Sequence, residues 1–212
     1  ILAFNYPPNG LKEFLKVIGV DGMANGFLGR IGYSIDEFVK ANKGDLLLAV
    51  YDFEVKTTEK TVDIPGEKSY KYNTTEPDMK VLFATSVNDQ AAFNKLVTIA
   101  AEQMGDMPKG KMPEIAYKLD KDWFAASNSA EGVDKFLSGS NGKNPLSDKL
   151  AGHTTAFYMD LQKIIQAAGA AVTDTFGRAG ITTSANMWQD IIGVGDNKDK
   201  TGTYKFEISL GD

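Results

Sequence analysis

The sequence predicts an α+β fold in which helices pack on a largely antiparallel β-sheet. Helical and strand-like hydrophobic patterns are interspersed along the chain. Most neighbouring strand patterns are separated by short turns, as in hairpins, and not by crossover helices. A hydrophobic content of 42% and a charged content of 24% are ordinary for a globular protein. A chain of 212 residues can bury about 70% of its unfolded surface, which is enough for a sizeable core.

Residues 1–43 are predicted to form a helical segment. Hydrophobic residues recur at helical spacing over residues 10–18. A second helix is expected to begin at Ser34, because Ser34 and Glu37 have the spacing of a capping box. Gly44 is expected to end it.

Residues 44–142 are predicted to form a first α+β unit. Its polar stretch, residues 56–78, is rich in Thr, Lys and Glu, with Pro65-Gly66 at the middle, and is predicted to be a long hairpin or an extended surface loop. The other elements are predicted, in order, as the strands DLLLAVYDFEV and MKVLFATSV, the helix DQAAFNKLVTIAAEQM, the strands EIAYKL and WFAASN, and the helix SAEGVDKFLSG.

Residues 143–212 are predicted to complete the same domain as a second β–α unit. The stretch SNGKNPLSDKLAGH is the most linker-like part of the chain. Beyond it the sequence predicts the strand TTAFYMDL, a helix from Asp160, the helix TSANMWQDIIG and the strand TGTYKFEISLG. LFATSVNDQAAFNKLV and AFYMDLQKII share the order strand, Asn/Asp cap and amphipathic helix, which indicates two related β–α units.

The composition excludes several classes of function. The net charge is −5 and the acidic and basic residues are interspersed, so a nucleic-acid partner is not expected. The absence of cysteine excludes disulfides, thiolate nucleophiles and cysteine-ligated metals. A single histidine excludes the common metal sites with two or three histidines. No cofactor is predicted, and no apolar run reaches the roughly 20 residues of a membrane span.

The lone histidine, His153, precedes a predicted strand that contains Tyr158 and Asp160. Tyr158 and Asp160 are two residues apart and share one face of that strand, whereas His153 is expected on the opposite face. Asp160 stands where a helix would need its N-cap. The cluster is therefore interpreted as a strand that leads into a helix, and no catalytic residue is predicted.

Two other motifs, a polar loop and a glycine pair, are interpreted as structural. The sequence GDNKDKTG, residues 195–202, has Lys198 where a calcium loop needs its second ligand, so a turn is expected. Gly193 and Gly195 form a GxG fragment without the third glycine of a dinucleotide-binding loop. Trp123 and Trp188 lie in apolar contexts and are expected in the core.

Two groups of residues are candidate contacts for a partner. Tyr70 and Tyr72 lie in the predicted hairpin, where a rigid scaffold would present them to a protein or a glycan. Met104, Met107 and Met112 lie in and after a predicted helix. Their thioethers could bind Cu(I), but adaptable packing or partner contact is the preferred interpretation, and no metal site is predicted.

Four segments, taken in order, resemble a family of uncharacterised extracytoplasmic lipoproteins of Bacteroidetes. They are VLFATSVNDQAAFNKLV, YKLDKDWFAASNSAEGVDKFLSG, TTAFYMDLQKII and YKFEISLGD, and the resemblance covers about residues 44–212. It implies a signal peptide and a lipidated cysteine upstream of Ile1, with the domain in the periplasm or at the cell surface. It supplies no catalytic residues. The chain, which begins without Met or a signal pattern, is therefore expected to be a fragment of a longer precursor, with any membrane contact made through that anchor.

The leading hypothesis is a non-enzymatic domain of the cell envelope that binds a ligand or a protein, or is structural. The alternative is a periplasmic or surface hydrolase that uses Asp and Glu residues, since carboxyl groups alone can perform acid–base catalysis. Two carboxyl groups with raised pKa values in one cleft would favour the alternative.

Overall fold

An antiparallel β-sheet with helices on both faces organises the structure, a computed structural model that describes residues 1–63, 66, 68–105, 114–139, 145–170, 172, 174–198 and 201–211. The strands in these ranges are β1 (Leu2–Asn5), β2 (Asn42–Val62), β3 (Tyr70–Val87), β4 (Ala116–Leu119), β5 (Trp123–Ser127), β6 (Thr155–Asp160), β7 (Trp188–Lys198) and β8 (Thr201–Leu210). The helices are α1 (Pro8–Val17), α2 (Asp21–Arg30), α3 (Ile35–Ala41), α4 (Gln90–Gly105), α5 (Ala130–Leu137), α6 (Pro145–Leu150), α7 (Leu161–Ala170) and α8 (Thr175–Met187). The strand order is β4-β5-β3-β2-β1-β6-β7-β8, and the predicted α+β class is confirmed.

The short strand β1 joins the two groups of strands. Ala3 is paired with Leu47 of β2 on one side and with Ala156 of β6 on the other. The N-terminal ammonium of Ile1 donates to the carbonyl of Tyr158 at 2.8 Å, and the Tyr158 amide donates back to Ile1 at 2.9 Å. The strands of residues 44–142 therefore lie on one side of β1, and those of residues 143–212 lie on the other.

The two faces of the sheet are covered by different helices. Side chains alternate between the faces of a strand, so Leu82 and Ala84 of β3 lie on one face, where Val133 of α5 packs on them. We call this the α5 face. Phe83 of β3 lies on the other face beside Phe124, on which Phe93 of α4 packs with ring centroids 5.3 Å apart. We call this the α4 face.

Beyond β1 the helices that the structure describes lie on the α5 face. Ala156 of β6 and Ile192 of β7 are buried on that face, where α7 packs against the sheet and α8 packs against α7. On the α4 face, by contrast, Leu2, Leu48 and Val50 are exposed. An apolar part of the α4 face is thus open to solvent.

The capping box predicted for α3 is confirmed. The Ser34 hydroxyl accepts from the amide of Glu37 at 3.1 Å and donates to its carboxylate at 3.0 Å. The helix ends at Ala41, not at Gly44 as predicted, because the chain passes directly into β2. Gly44 has a positive φ of 110° and lies against Tyr6, where a side chain would collide with the Tyr6 carbonyl. It therefore permits the close approach of the chain that follows β1.

The prediction of a helix over TSANMWQDIIG is wrong in its second half. Helix α8 ends at Met187 and β7 begins at Trp188. Ile191 and Ile192 are β-branched and pair with Met159 and Tyr158 of β6, so pairing in the sheet overrides the local helical pattern.

Two helices were not predicted, and the predicted position of one tryptophan is wrong. Helix α2 forms despite its glycines, and α6 lies within the stretch predicted as a linker. Trp123 packs edge-on against Phe136 at 5.4 Å, in agreement with its expected core position. Trp188 is 38% exposed, so its predicted place in the core is wrong. It starts β7 opposite Leu210 of β8 and lies beyond Asp190, the last residue of β7 that pairs with β6.

The predicted hairpin over residues 56–78 is confirmed as a two-stranded ribbon that extends β2 and β3, whereas Pro65 at its predicted middle lies outside the described residues. The strands stay in register from Lys56 opposite Glu76 to Val62 opposite Tyr70. A register shift follows Tyr51, where Asp52 adopts a positive φ of 50°. Three ion pairs cross the ribbon: Lys56–Asp78, Lys60–Glu76 and Lys71–Glu59.

We expect the outer part of the ribbon to be dispensable for folding. Thr57 and Thr75 are directly opposite each other, so deletion of residues 58–74 and closure with Asn-Gly preserves the register. Those of the removed side chains that the structure describes are almost all exposed, and exposed ion pairs contribute only about 0–1 kcal/mol. The far-UV circular dichroism spectrum should keep its helical features, and thermal unfolding should stay cooperative with a Tm within about 5 °C of the parent. Loss of the cooperative transition would show that the ribbon is part of the core.

Candidate functional site

An apolar cleft lies between α4 and the α4 face of the sheet. Its volume is about 340 Å³, within the usual range for small-molecule sites. No charged side chain is among the residues that line it: Tyr6, Phe38, Asn42, Leu46, Phe83, Thr85, Phe93, Leu96, Val97, Ala100, Ala101, Ile115, Tyr117, Phe124 and Ala126.

The cleft exists because α4 is held firmly at its N-terminus and meets small residues further along. The Asp89 carboxylate caps the helix by accepting from the Ala92 amide at 2.9 Å. One turn later Phe93 packs on the sheet. Beyond it, Ala101 on the helix and Ala126 on β5 line the cleft. Alanine side chains are too small to fill the space between a helix and a sheet, so a gap remains.

A buried tyrosine ties α4 to the segment before α3. Tyr33 is 3% exposed, and its hydroxyl donates to the Ala92 carbonyl at 3.1 Å. Burial raises the pKa of Tyr33 to about 12, and the nearby charges of Glu37 and Asp89 act in the same direction. The Lys95 ammonium pairs with Glu37 at 2.6 Å and adds a second link between α4 and α3.

The cleft has few polar groups, and some of them already form hydrogen bonds within the protein. The Thr85 hydroxyl donates to the Asp45 carbonyl at 2.9 Å, and the Asn42 amide donates to the Phe38 carbonyl at 2.8 Å. The Tyr6 phenol is uncharged at neutral pH, and burial raises its pKa further. Among the described lining residues there is no nucleophile beside a base. This arrangement is suited to binding an apolar group and not to acid–base chemistry.

His153 is hydrogen-bonded to Asp196, a pairing that was not predicted from the sequence. Its Nδ1 lies 2.8 Å from Oδ2 of Asp196, whose other oxygen accepts from the Thr154 amide at 3.2 Å. The contact with His153, followed by that with Thr154, lowers the pKa of Asp196. Sequence reasoning missed the pair because β7, which carries Asp196, was partly predicted as a helix and its pairing with β6 was not foreseen.

The surroundings of this pair do not form a catalytic triad. His153 lines a second cavity of about 370 Å³ together with Ile192 and Val194 of β7. The charged groups of that cavity are Asp148, Lys149, Lys205 and Glu207, and its described lining contains no hydroxyl group. The Asp196 carboxylate instead connects the start of β6 to β7.

The predicted placement of the residues around His153 is partly correct. Asp160 caps α7 as expected, by accepting from the Lys163 amide at 2.9 Å. Tyr158 is paired with Ile192, and Ile192 and His153 line the same cavity. The expectation that His153 lies on the opposite face from Tyr158 is therefore wrong, because His153 precedes β6 and strand alternation does not apply to it.

The carboxyl groups give no support to acid–base catalysis. In the described parts of the chain, each carboxyl group with a shifted pKa has that pKa lowered. A hydrogen bond from a lysine is the largest cause for most of them, namely Glu37, Asp52, Asp122, Glu76, Glu131 and Glu207. The described residues contain no group of three or more His, Asp or Glu side chains that could hold a metal ion.

The candidate contact residues from the sequence do not meet in one site. Tyr70 and Tyr72 stack at the outer part of the ribbon, with ring centroids 6.3 Å apart and planes inclined by 13°. Tyr72 is eleven residues from Phe83 on the same strand, which places it about 35 Å from the cleft. The side chain of Met104, and the whole of Met107 and Met112, lie outside the described residues.

No protein-family model matches the chain, and neither a curated protein nor a solved structure does so. The resemblance to extracytoplasmic lipoproteins therefore stays a prediction. None of the helices described is both long and apolar enough to span a membrane.

Replacement of Tyr33 by Phe should lower the free energy of unfolding by about 1 kcal/mol at pH 7, because one hydrogen bond to α4 is lost. Its pKa is raised from 10.0 to about 12. The protonated phenol therefore contributes stability that is fully present below pH 10 and is lost as the pH rises towards about 12. Urea unfolding between pH 8 and pH 11 should show a shallower loss of stability in Tyr33→Phe than in the parent. Replacement of the exposed Tyr70 by Phe is the control. A Tyr33 phenol that ionises together with the exposed tyrosines would contradict this expectation.

Replacement of His153 by Ala should destabilise the protein modestly at pH 7. The pKa of Asp196 is lowered in the folded state from its ordinary value of 3.8. This carboxylate therefore contributes stability that is present above about pH 4 and is lost as the pH falls through its folded-state pKa. The difference in urea midpoint between parent and variant should shrink at low pH. His153→Asn, which keeps a donor for Asp196, should lie between them. A difference that is independent of pH would argue against the pairing.

Proposed function

We propose that the chain is a non-enzymatic binding domain of the cell envelope, and that the cleft beneath α4 is its site. The observation that carries this proposal is a cleft of about 340 Å³ whose described lining is apolar apart from a few neutral polar groups. An apolar molecule of acyl-chain or aromatic type fits this lining. A glycan would need several hydrogen-bonding groups that point into the site.

The electrostatics of the molecule also support binding over catalysis. Most of the shifted carboxyl groups pair with lysines and are held ionised, so they are poor proton donors at neutral pH. The location in the envelope rests on the resemblance alone. It is tested by sequencing upstream of Ile1, where a signal peptide followed by a lipidated cysteine is expected.

Titration with N-phenyl-1-naphthylamine, a neutral apolar fluorophore, tests the cleft. We expect saturable binding with a blue-shifted and enhanced emission, because the probe leaves water for an apolar lining. Replacement of Ala101 by Phe fills part of the cleft and should weaken binding by about tenfold or more.

Replacement of Ala91 by Phe is the matched control, since Ala91 lies on the same helix and is exposed. It should bind the probe as the parent does. Equal affinity of the parent and Ala101→Phe would show that the cleft is not the site. Circular dichroism and thermal unfolding of both variants establish that a loss of binding is not a loss of fold.

A further inference from the structure

Strand β8 forms an unprotected edge of the sheet. It has ten residues and contains no proline, whereas the strand at the opposite edge, β4, has four. In the described part of the chain β7 is the strand that pairs with β8. A long edge strand with exposed apolar side chains is a template for pairing with another chain, and natural proteins usually guard such edges.

The backbone of β8 presents a defined set of free groups. The Gly211 amide donates to the Met187 carbonyl at 2.9 Å, towards the β7 side. Successive residues of an antiparallel strand point their N–H and C=O groups to alternate sides. The amides and carbonyls of the even-numbered residues in β8 therefore point away from β7. The one irregularity in this ladder takes its extra residue from β7 and leaves β8 regular.

The side chains of these even-numbered residues make the edge apolar. Tyr204, Phe206, Ile208 and Leu210 are all exposed on the α4 face, Phe206 to 69%. The rings of Phe206 and Tyr204 lie across the glycines of β7. A Cβ at Gly193 would be 2.8 Å from the Phe206 ring. This packing keeps the rings flat beside the edge but leaves most of their surface in water.

Among the odd-numbered residues, one positive and one negative side chain are spaced so that they would face opposite charges if two copies of β8 paired antiparallel. Lys205 and Glu207 lie on the α5 face, two residues apart. The Glu207 carboxylate accepts from Lys149 at 3.0 Å, whereas the Lys205 ammonium is 3.8 Å from Glu207 and has a side chain that is 76% exposed. Because this contact is long and the side chain is exposed, Lys205 can also reach across the edge.

We propose that β8 pairs with β8 of a second copy of the chain, antiparallel and about a two-fold axis through Phe206. In this register Lys205 faces Glu207 of the second copy, and by symmetry Glu207 faces Lys205 of the second copy. Tyr204 faces Ile208 of the second copy, and the even-numbered residues form about ten backbone hydrogen bonds. Opposite charges in facing positions stabilise the pairing, and like charges oppose it.

Other registers are less favourable. An axis through Lys205 places two lysines opposite each other, and an axis through Glu207 does the same for two glutamates. An axis through Tyr204 leaves Lys205 opposite Thr203. The axis through Phe206 satisfies both the charges and the free backbone groups, and it argues for a second copy over an unrelated partner.

Single cysteines test the register, since the chain has no cysteine of its own. At an axis through Phe206 the two copies of this residue have Cα atoms about 5.5 Å apart, which suits a disulfide. Phe206→Cys should therefore form a covalent dimer under mild oxidation with glutathione. Leu210→Cys is the matched control: it is equally exposed on β8, but its two copies would be about 27 Å apart. Equal cross-linking of the two variants would overturn the register.

Charge reversal tests the association of two copies while the apolar side chains of β8 are left unchanged. Sedimentation velocity over about a hundredfold range of concentration should show a monomer–dimer equilibrium for the parent. K205E should weaken the dimer by about tenfold, and the double variant K205E/E207K should restore it. K121E, which changes an exposed lysine in the turn next to β4, should have no effect. A parent that is monomeric throughout this range, or a double variant no better than K205E, would overturn the proposal.

Discussion

Backbone pairing of β1 on both of its sides is the constraint on which the rest of the structure depends. Four residues, Leu2–Asn5, supply hydrogen bonds to β2 and to β6. The pairing is completed by the reciprocal bonds between Ile1 and Tyr158. Without this strand the two groups of strands would each have an additional free edge, and an unpaired backbone edge is costly when it is buried. The continuous sheet, and with it the extended α4 face, exists because β1 is in place.

The uneven cover of this sheet by helices connects the two proposals. On the α5 face helices lie on both sides of β1, whereas on the α4 face α4 packs over the strands of the first group. Beneath α4 the small residues leave a cleft. Further along the same face, Leu48 of β2, Leu2 of β1 and Phe206 of β8 are exposed to water. The α4 face therefore offers two kinds of apolar surface: an enclosed one sized for a small molecule, and a flat one that ends at the edge strand β8.

Local signals in the sequence predicted the local structure well. The capping residues Ser34 and Asp160 identified two helix starts, and the polar stretch of residues 56–78 identified the ribbon, because each of these depends on neighbours within a few residues. Non-local pairing was beyond such signals. Strand β1 is too short to show a period, and β7 reads as the end of a helix until its pairing with β6 is known. The same limit explains why the candidate site was not predicted. An alanine such as Ala101 is as compatible with a filled core as with a cleft. The hydrogen-bond partner of His153 is 43 residues away in the sequence.

The double pairing of β1 also has a kinetic consequence. Its partner in β2 follows after about 45 residues, but the bond from Ile1 to Tyr158 spans 157 residues. Contacts so distant in sequence form late, because the loop between them must close before they can contribute. The first group of strands can therefore form while one side of β1 is still unpaired. Until β6 pairs with it, β1 has an open edge, which is suited to engagement by a chaperone.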